Sequence, residues 1–211
     1  MMRFFIFLSL AGLVACSPTE DPVTAGRAHY LAAGCAACHR VDGRGGRVGP
    51  DLSLVGFRRS ASWLDLWLKN PKGWKHDTEM PGFALDAKTR EAVVAYLASL
   101  KNWSGAADGE AIYKKAGCIA CHGIRGQGGH PNNNVKGGVI PALDTVVGTY
   151  TREELVVKIR RGVTVQADDP SGSSPEVNMP AWGEILSEAD LEAVAAYLET
   201  IAIETPEEEE W

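Results

Sequence analysis

The sequence has no apolar run of membrane-spanning length, no excess of basic residues and few methionines, and each shortage removes an option. The apolar stretch Phe4 to Val14, preceded by Arg3, is shorter than the roughly 20 residues a helix needs to cross a bilayer. It reads instead as the n-region and h-region of an export signal. Lys and Arg number 21 against 27 Asp and Glu, a formal charge of −6. That balance argues against a nucleic-acid partner and favours a basic docking partner. Of the four Met, Met1 and Met2 belong to the signal, which leaves Met80 and Met179, each followed by Pro.

Cysteine is scarce too, but it is concentrated. Four of the five Cys fall in two copies of one motif, Cys35-Ala36-Ala37-Cys38-His39 and Cys118-Ile119-Ala120-Cys121-His122. Two thiols three positions apart on one helical turn can add to the two vinyl groups of a haem, while the next imidazole faces the iron. A bare Cys-x-x-Cys also suits a thioredoxin-like redox pair or half a zinc site; the following His favours haem. A zinc ribbon would place its second pair about 15 to 20 residues after the first, far closer than Cys38 and Cys118 stand here. The motifs therefore predict two covalently bound haems on Cys35, Cys38, Cys118 and Cys121, with His39 and His122 as iron ligands. One Met for each motif is the count a His/Met pair requires, which points to Met80 and Met179 as the opposite ligands. His76 competes with Met80 but reads better as a solvent-facing loop residue. His29 has no special claim.

At 211 residues the chain could form one domain or two, and the recurrence argues for two of under about 100 residues each. Domains that small are marginal, and a buried haem would supply part of each core. In the first copy, Pro22 to Ala33 reads as a helix released by Gly34. Gly43 to Gly49 reads as a loop without regular structure. Ser60 or Ser62 caps a helix through Lys69 that ends at Pro71, placing Trp63 and Trp67 on one face as core. From Asp86, Val93, Tyr96, Leu97 and Leu100 keep helical spacing. The second copy repeats Gly26, Tyr30 and Cys35 as Gly109, Tyr113 and Cys118, and Gly49-Pro50-Asp51-Leu52 as Ile140-Pro141-Ala142-Leu143. Thr151 with Glu154, and Ser187 with Asp190, have the spacing of capping boxes. The copies differ by two loop-like additions: His39 to Pro50 is 11 positions against 19 for His122 to Pro141, and Pro50 to Met80 is 30 against 38 for Pro141 to Met179. These read as surface insertions, Gly128 to Gly138 and Ala167 to Pro175, with His130 exposed; a docking face near the second haem is the sharper alternative.

The stretch Gly26 to Lys101 resembles a class I cytochrome c. Asn70-Pro71-Lys72 followed by Thr78-Glu79-Met80 is similar to the family's approach to its sixth iron ligand, and Gly26 with Tyr30 to its N-terminal helix crossing. The resemblance implies an all-α fold of two tandem class I cytochrome c domains, each of several short helices around a haem. It also implies His39 and Met80 on opposite sides of the iron, with the Pro50 carbonyl, and by duplication that of Pro141, orienting the imidazole.

Leu13-Val14-Ala15-Cys16 resembles a bacterial lipobox, in which Cys16 becomes a lipidated N-terminus; an ordinary cleavage site containing a Cys is the alternative. The expected organisation is a signal peptide at 1–15, a lipidated Cys and tether at 16–22, domains at 23–101 and 108–203, a linker at 102–107 and an acidic, solvated tail at 204–211. The six residues after Cys16 reach about 20 Å when extended, enough to hold a domain near a bilayer. With both axial positions filled, no small-molecule substrate is expected. The reading is an exported, lipid-anchored dihaem carrier on the periplasmic side of a membrane or at the cell surface, passing electrons between redox protein partners. Its alternatives are a dihaem peroxidase and a fixed subunit of a respiratory complex.

Overall fold

The computed structural model describes residues 20–132, 138–164 and 177–203. Cys16, the signal at 1–15, most of the tether, the Ala167 to Pro175 insertion, the acidic tail and part of the Gly128 to Gly138 loop lie outside the described residues. The helices are α1 (Pro22–Ala32), α2 (Val55–Arg58), α3 (Ala61–Lys69), α4 (Pro71–Trp74), α5 (Ala87–Ser99), α6 (Gly109–Ala116), α7 (Ile119–His122), α8 (Leu143–Val146), α9 (Arg152–Arg161) and α10 (Glu188–Thr200). The fold is all-α, as the sequence implies, with one departure. Arg40–Val41 and Arg44–Gly45 pair as a minimal antiparallel ladder, whose second strand falls in the stretch read as irregular. Asp42 and Gly43 turn it, with φ of 47° and 77°, a conformation that Asp and Gly tolerate best.

Local chemistry sets the helix ends. The Asp21 carboxylate accepts from Thr24 N at 3.0 Å, and Pro22 occupies the first turn of α1, where its missing N–H costs nothing. Ser60 and Asp86 cap α3 and α5 in the same way, and Thr151 and Ser187 form full capping boxes for α9 and α10. Each box satisfies two backbone donors that a helix start otherwise leaves unpaired.

The duplication is visible in the packing. In each copy the first helix crosses the last at a glycine: a Cβ on Gly26 would lie 1.9 Å from Ala92 O, and one on Gly109 would lie 2.0 Å from Ala193 O. One turn on, Tyr30 meets Tyr96 and Tyr113 meets Tyr197, both with centroids 5.4 Å apart and tilted, the geometry aromatic quadrupoles prefer. Around these crossings lie two cores. One holds Tyr30, Leu64, Leu68, Val93 and Leu97; the other holds Ile112, Tyr113, Leu155, Ile159, Leu191 and Leu198.

The domains share more than a linker. Leu54, fully buried, belongs to the second domain's core, and Phe57 packs there at 5.4 Å from the Trp182 ring. Beside them Arg58 is buried, donating to Asp51 O at 2.8 Å and across the boundary to Gly117 O at 3.2 Å. The linker is fixed on the second domain as well: Trp103 Nε1 donates to Asp190 Oδ2 at 3.2 Å, and Lys115 Nζ to Ser104 Oγ at 2.8 Å.

Candidate functional site

The first motif follows directly from the end of α1. Gly34, at φ 76°, turns the chain so that Cys35–Ala37 form a 3₁₀ turn, and His39 N closes it onto Cys35 O at 3.0 Å. Cys35 is half-buried and Cys38 exposed. His39 Nδ1 lies 2.9 Å from Pro50 O. A carbonyl only accepts, so Nδ1 carries the proton and Nε2 is left with a free lone pair, the form an imidazole needs to bind a metal. Gly49 holds the ring from one side, since a Cβ there would stand 2.4 Å from His39 Cε1.

Met80 belongs to the same core as Cys35 and Ala36. Its sulfur accepts from Trp67 Nε1 at 3.0 Å, and its backbone N donates to Thr78 Oγ1 at 3.3 Å. His76, by contrast, is exposed, as is His29.

In the second copy Gly117, at φ 81°, releases α6 into Cys118, and α7 ends on His122. Burial pushes the Cys118 thiol up to about 12. Burial also lowers His122 to about 4, with the Pro141 carbonyl acting weakly in the other direction. The imidazole is therefore neutral at physiological pH. Its Nδ1 is buried, and the Pro141 carbonyl is the backbone group that acts on this ring, as Pro50 does on His39. Cys118 and Met179 pack against one core. Met179 is held by a two-way bridge to Val163, with both N–H···O distances 3.0 Å.

Two expectations need correction. His130 is half-buried instead of exposed: burial, and after it Lys75 of the first domain, lower its pKa. Trp63 and Trp67 are not fully buried core residues. They stack on each other at 5.2 Å and 12°, with the Arg59 guanidinium 4.7 Å from the Trp63 ring centre. Arg59, which the sequence reading passed over, reaches Cys121 Sγ at 3.0 Å. Its signal was the duplication itself: Phe57, Arg58 and Arg59 occupy the positions of Gly148, Thr149 and Tyr150, a change without an insertion.

Among the described residues no three His, Cys, Asp or Glu side chains gather to hold a metal ion. The residues fit a haem on their own chemistry: two thiols stand on one turn in each copy, and the His39 Nδ1 contact with Pro50 O leaves Nε2 with a lone pair for the iron. No helix among the described residues is long and apolar enough to cross a membrane. Small helical cores, each joined to a Cys-x-x-Cys-His turn and a methionine, define the class of proteins that carry covalent haem. The chain belongs to the cytochrome c family: its model, described as Cytochrome c, matches residues 23–101 and again 106–202. The chain thus contains two tandem cytochrome c domains, whose family role is electron transfer on covalently bound haem c. No curated protein matches the chain.

Proposed function

We propose that the chain is a dihaem electron carrier, with one haem on Cys35 and Cys38 and a second on Cys118 and Cys121. The observation that carries this reading is that each Cys-x-x-Cys-His turn shares a core with its own methionine, Met80 in one copy and Met179 in the other. Bound haem supplies a one-electron couple with little rearrangement. The protein's part would be to hold it: His39 and His122 would supply imidazole nitrogens to the iron, and Met80 and Met179 thioether sulfurs. Pro50 fixes the first imidazole, while Pro141 stands over the second. With a protein ligand on each side, the bound iron would have no open position for a substrate. The lipobox-like Leu13 to Cys16 supports export and a lipid anchor on Cys16, placing the carrier at the outer face of a membrane, between a redox protein donor and an acceptor. The net charge of −6 favours a basic partner.

Mass spectrometry of the mature protein tests this reading: two covalent haems and an acylated Cys16 are expected. One haem or none removes the dihaem reading, and an N-terminus retaining Ala15 removes the anchor. Redox titration should resolve two one-electron steps.

A further inference from the structure

The contacts between the domains form a line. Trp67 Nε1 donates to Met80 Sδ at 3.0 Å. Trp67 stacks on Trp63 at 5.2 Å and 12°, and the Arg59 guanidinium lies 4.7 Å from the Trp63 ring centre. Arg59 Nη2 then crosses the domain boundary to Cys121 Sγ at 3.0 Å. The two end steps are 3.0 Å hydrogen-bond contacts, and the two between them span 5.2 and 4.7 Å measured to ring centres. The line runs from the sulfur proposed as the sixth ligand of the first haem to a sulfur proposed to attach the second. We propose that Trp67, Trp63 and Arg59 are the route by which an electron passes between the two haem sites; this rests on the assignment of Met80 and Cys121 given above.

The chemistry of the ends allows it. A thioether sulfur has two lone pairs, so Met80 can offer one to iron and keep the other for the Trp67 N–H. Cys121 remains a weak acceptor for Arg59 after it becomes a thioether. In the transfer one electron leaves the reduced site and enters the oxidised one. No bond forms or breaks, no proton moves, and the indoles bridge without changing oxidation state.

Three observations distinguish a built route from chance packing. First, the second copy has Tyr150, Glu154 and Lys158 where the first has Arg59, Trp63 and Trp67. The Arg-Trp-Trp line is therefore a feature of the first copy that the duplication alone does not account for. Second, the crossing is anchored: Arg59 Nη1 holds Arg58 O at 3.2 Å, and Arg58 holds Asp51 O and Gly117 O. A Cβ at Gly117 would stand 2.3 Å from Arg58 Cζ, so the guanidinium lies directly on the turn that leads into Cys118. Third, Leu54 and Phe57 lock the same seam into the second core. A contiguous network of packed groups is the physical requirement for coupling between sites, and substitution is the way to demonstrate it.

The test uses the full-length protein with both haems attached. One haem is reduced by pulse radiolysis, and the rate of equilibration between haems is followed, with both potentials measured by titration. Trp63→Leu, Trp67→Leu and Arg59→Gln should each slow equilibration several-fold at unchanged driving force. The Trp63→Leu/Trp67→Leu double variant should be little slower than either single, because one break interrupts the line. Trp63→Phe, which keeps a ring for stacking, should restore most of the rate. Trp67→Leu should also shift the sulfur-to-iron band of one oxidised haem only. Equilibration at the wild-type rate in Trp63→Leu and Arg59→Gln overturns the route. A missing haem, or a Met80→Ala variant with both sulfur-to-iron bands intact, overturns the ligand assignment instead.

Discussion

Replacing Gly26 with alanine tests the helix crossing that carries the first motif. The new methyl carbon would sit 1.9 Å from Ala92 O, 2.6 Å from Ala92 C and 2.8 Å from Tyr96 Cβ. Carbon contacts settle at about 3.5–4.0 Å, so α1 and α5 must part by roughly 1.5 Å or more. The obstacle is backbone, which cannot rotate aside as a side chain can. The cost therefore falls at the upper end of the overpacking range, ~3 kcal/mol. At ~0.05–0.15 kcal/mol per residue, a unit the size of residues 23–101 has only ~4–12 kcal/mol to lose. With a shift of ~4–8 °C per kcal/mol, its melting temperature should fall by ~12 °C or more. The assay is thermal unfolding followed by circular dichroism and by haem absorbance. Gly82→Ala is the control, because a Cβ there meets nothing within 4 Å. If the two variants melt within ~2 °C of each other, the close crossing is not what holds this domain.

Met80→Ala and Met179→Ala should each abolish the sulfur-to-iron charge-transfer band of one oxidised haem and lower its potential, as loss of a His/Met pair requires; an unchanged spectrum in either would show the wrong ligand. Lys69, and after it Arg90, hold the Asp65 carboxyl below the usual carboxylate range. A depressed carboxylate stabilises the fold above its unfolded pKa of about 3.9, and that contribution disappears as pH falls through the lower folded value. Asp65→Asn should therefore flatten the loss of stability between roughly pH 5 and pH 2, read as urea midpoints against pH. Ser187→Ala removes one half of the α10 capping box and should cost about 1 kcal/mol, measured in the same titration.

What the sequence made legible was local. Cys-x-x-Cys-His acts within one turn, and Ser60, Asp86, Thr151 and Ser187 each cap a donor three residues ahead, so spacing alone reveals them. The ladder at Arg40 to Gly45 escaped notice because two residues per strand are too few to show alternation. Trp63 and Trp67 have the spacing of a buried stripe, and nothing in their own helix indicates that their neighbour is a cation. Arg58 and Arg59 carry no local signal of a role. Their partners lie 59 and 62 positions later, a distance set only by how the two domains dock. His130 likewise feels the first domain, through the charges of Lys75 and Asp77.

Leu54 changes what the duplication means. A leucine taken wholly out of water contributes ~1.5–3 kcal/mol, and here the half that supplies it is not the half whose core it fills. The two copies have ceased to be interchangeable modules. A protease cutting within 102–107 should leave one particle with two chains, whereas the second half made alone would carry an unfilled socket where Leu54 belongs. The ancestral repeat has become a single inheritable object, and further gain or loss of one unit is penalised by the seam that joins the pair.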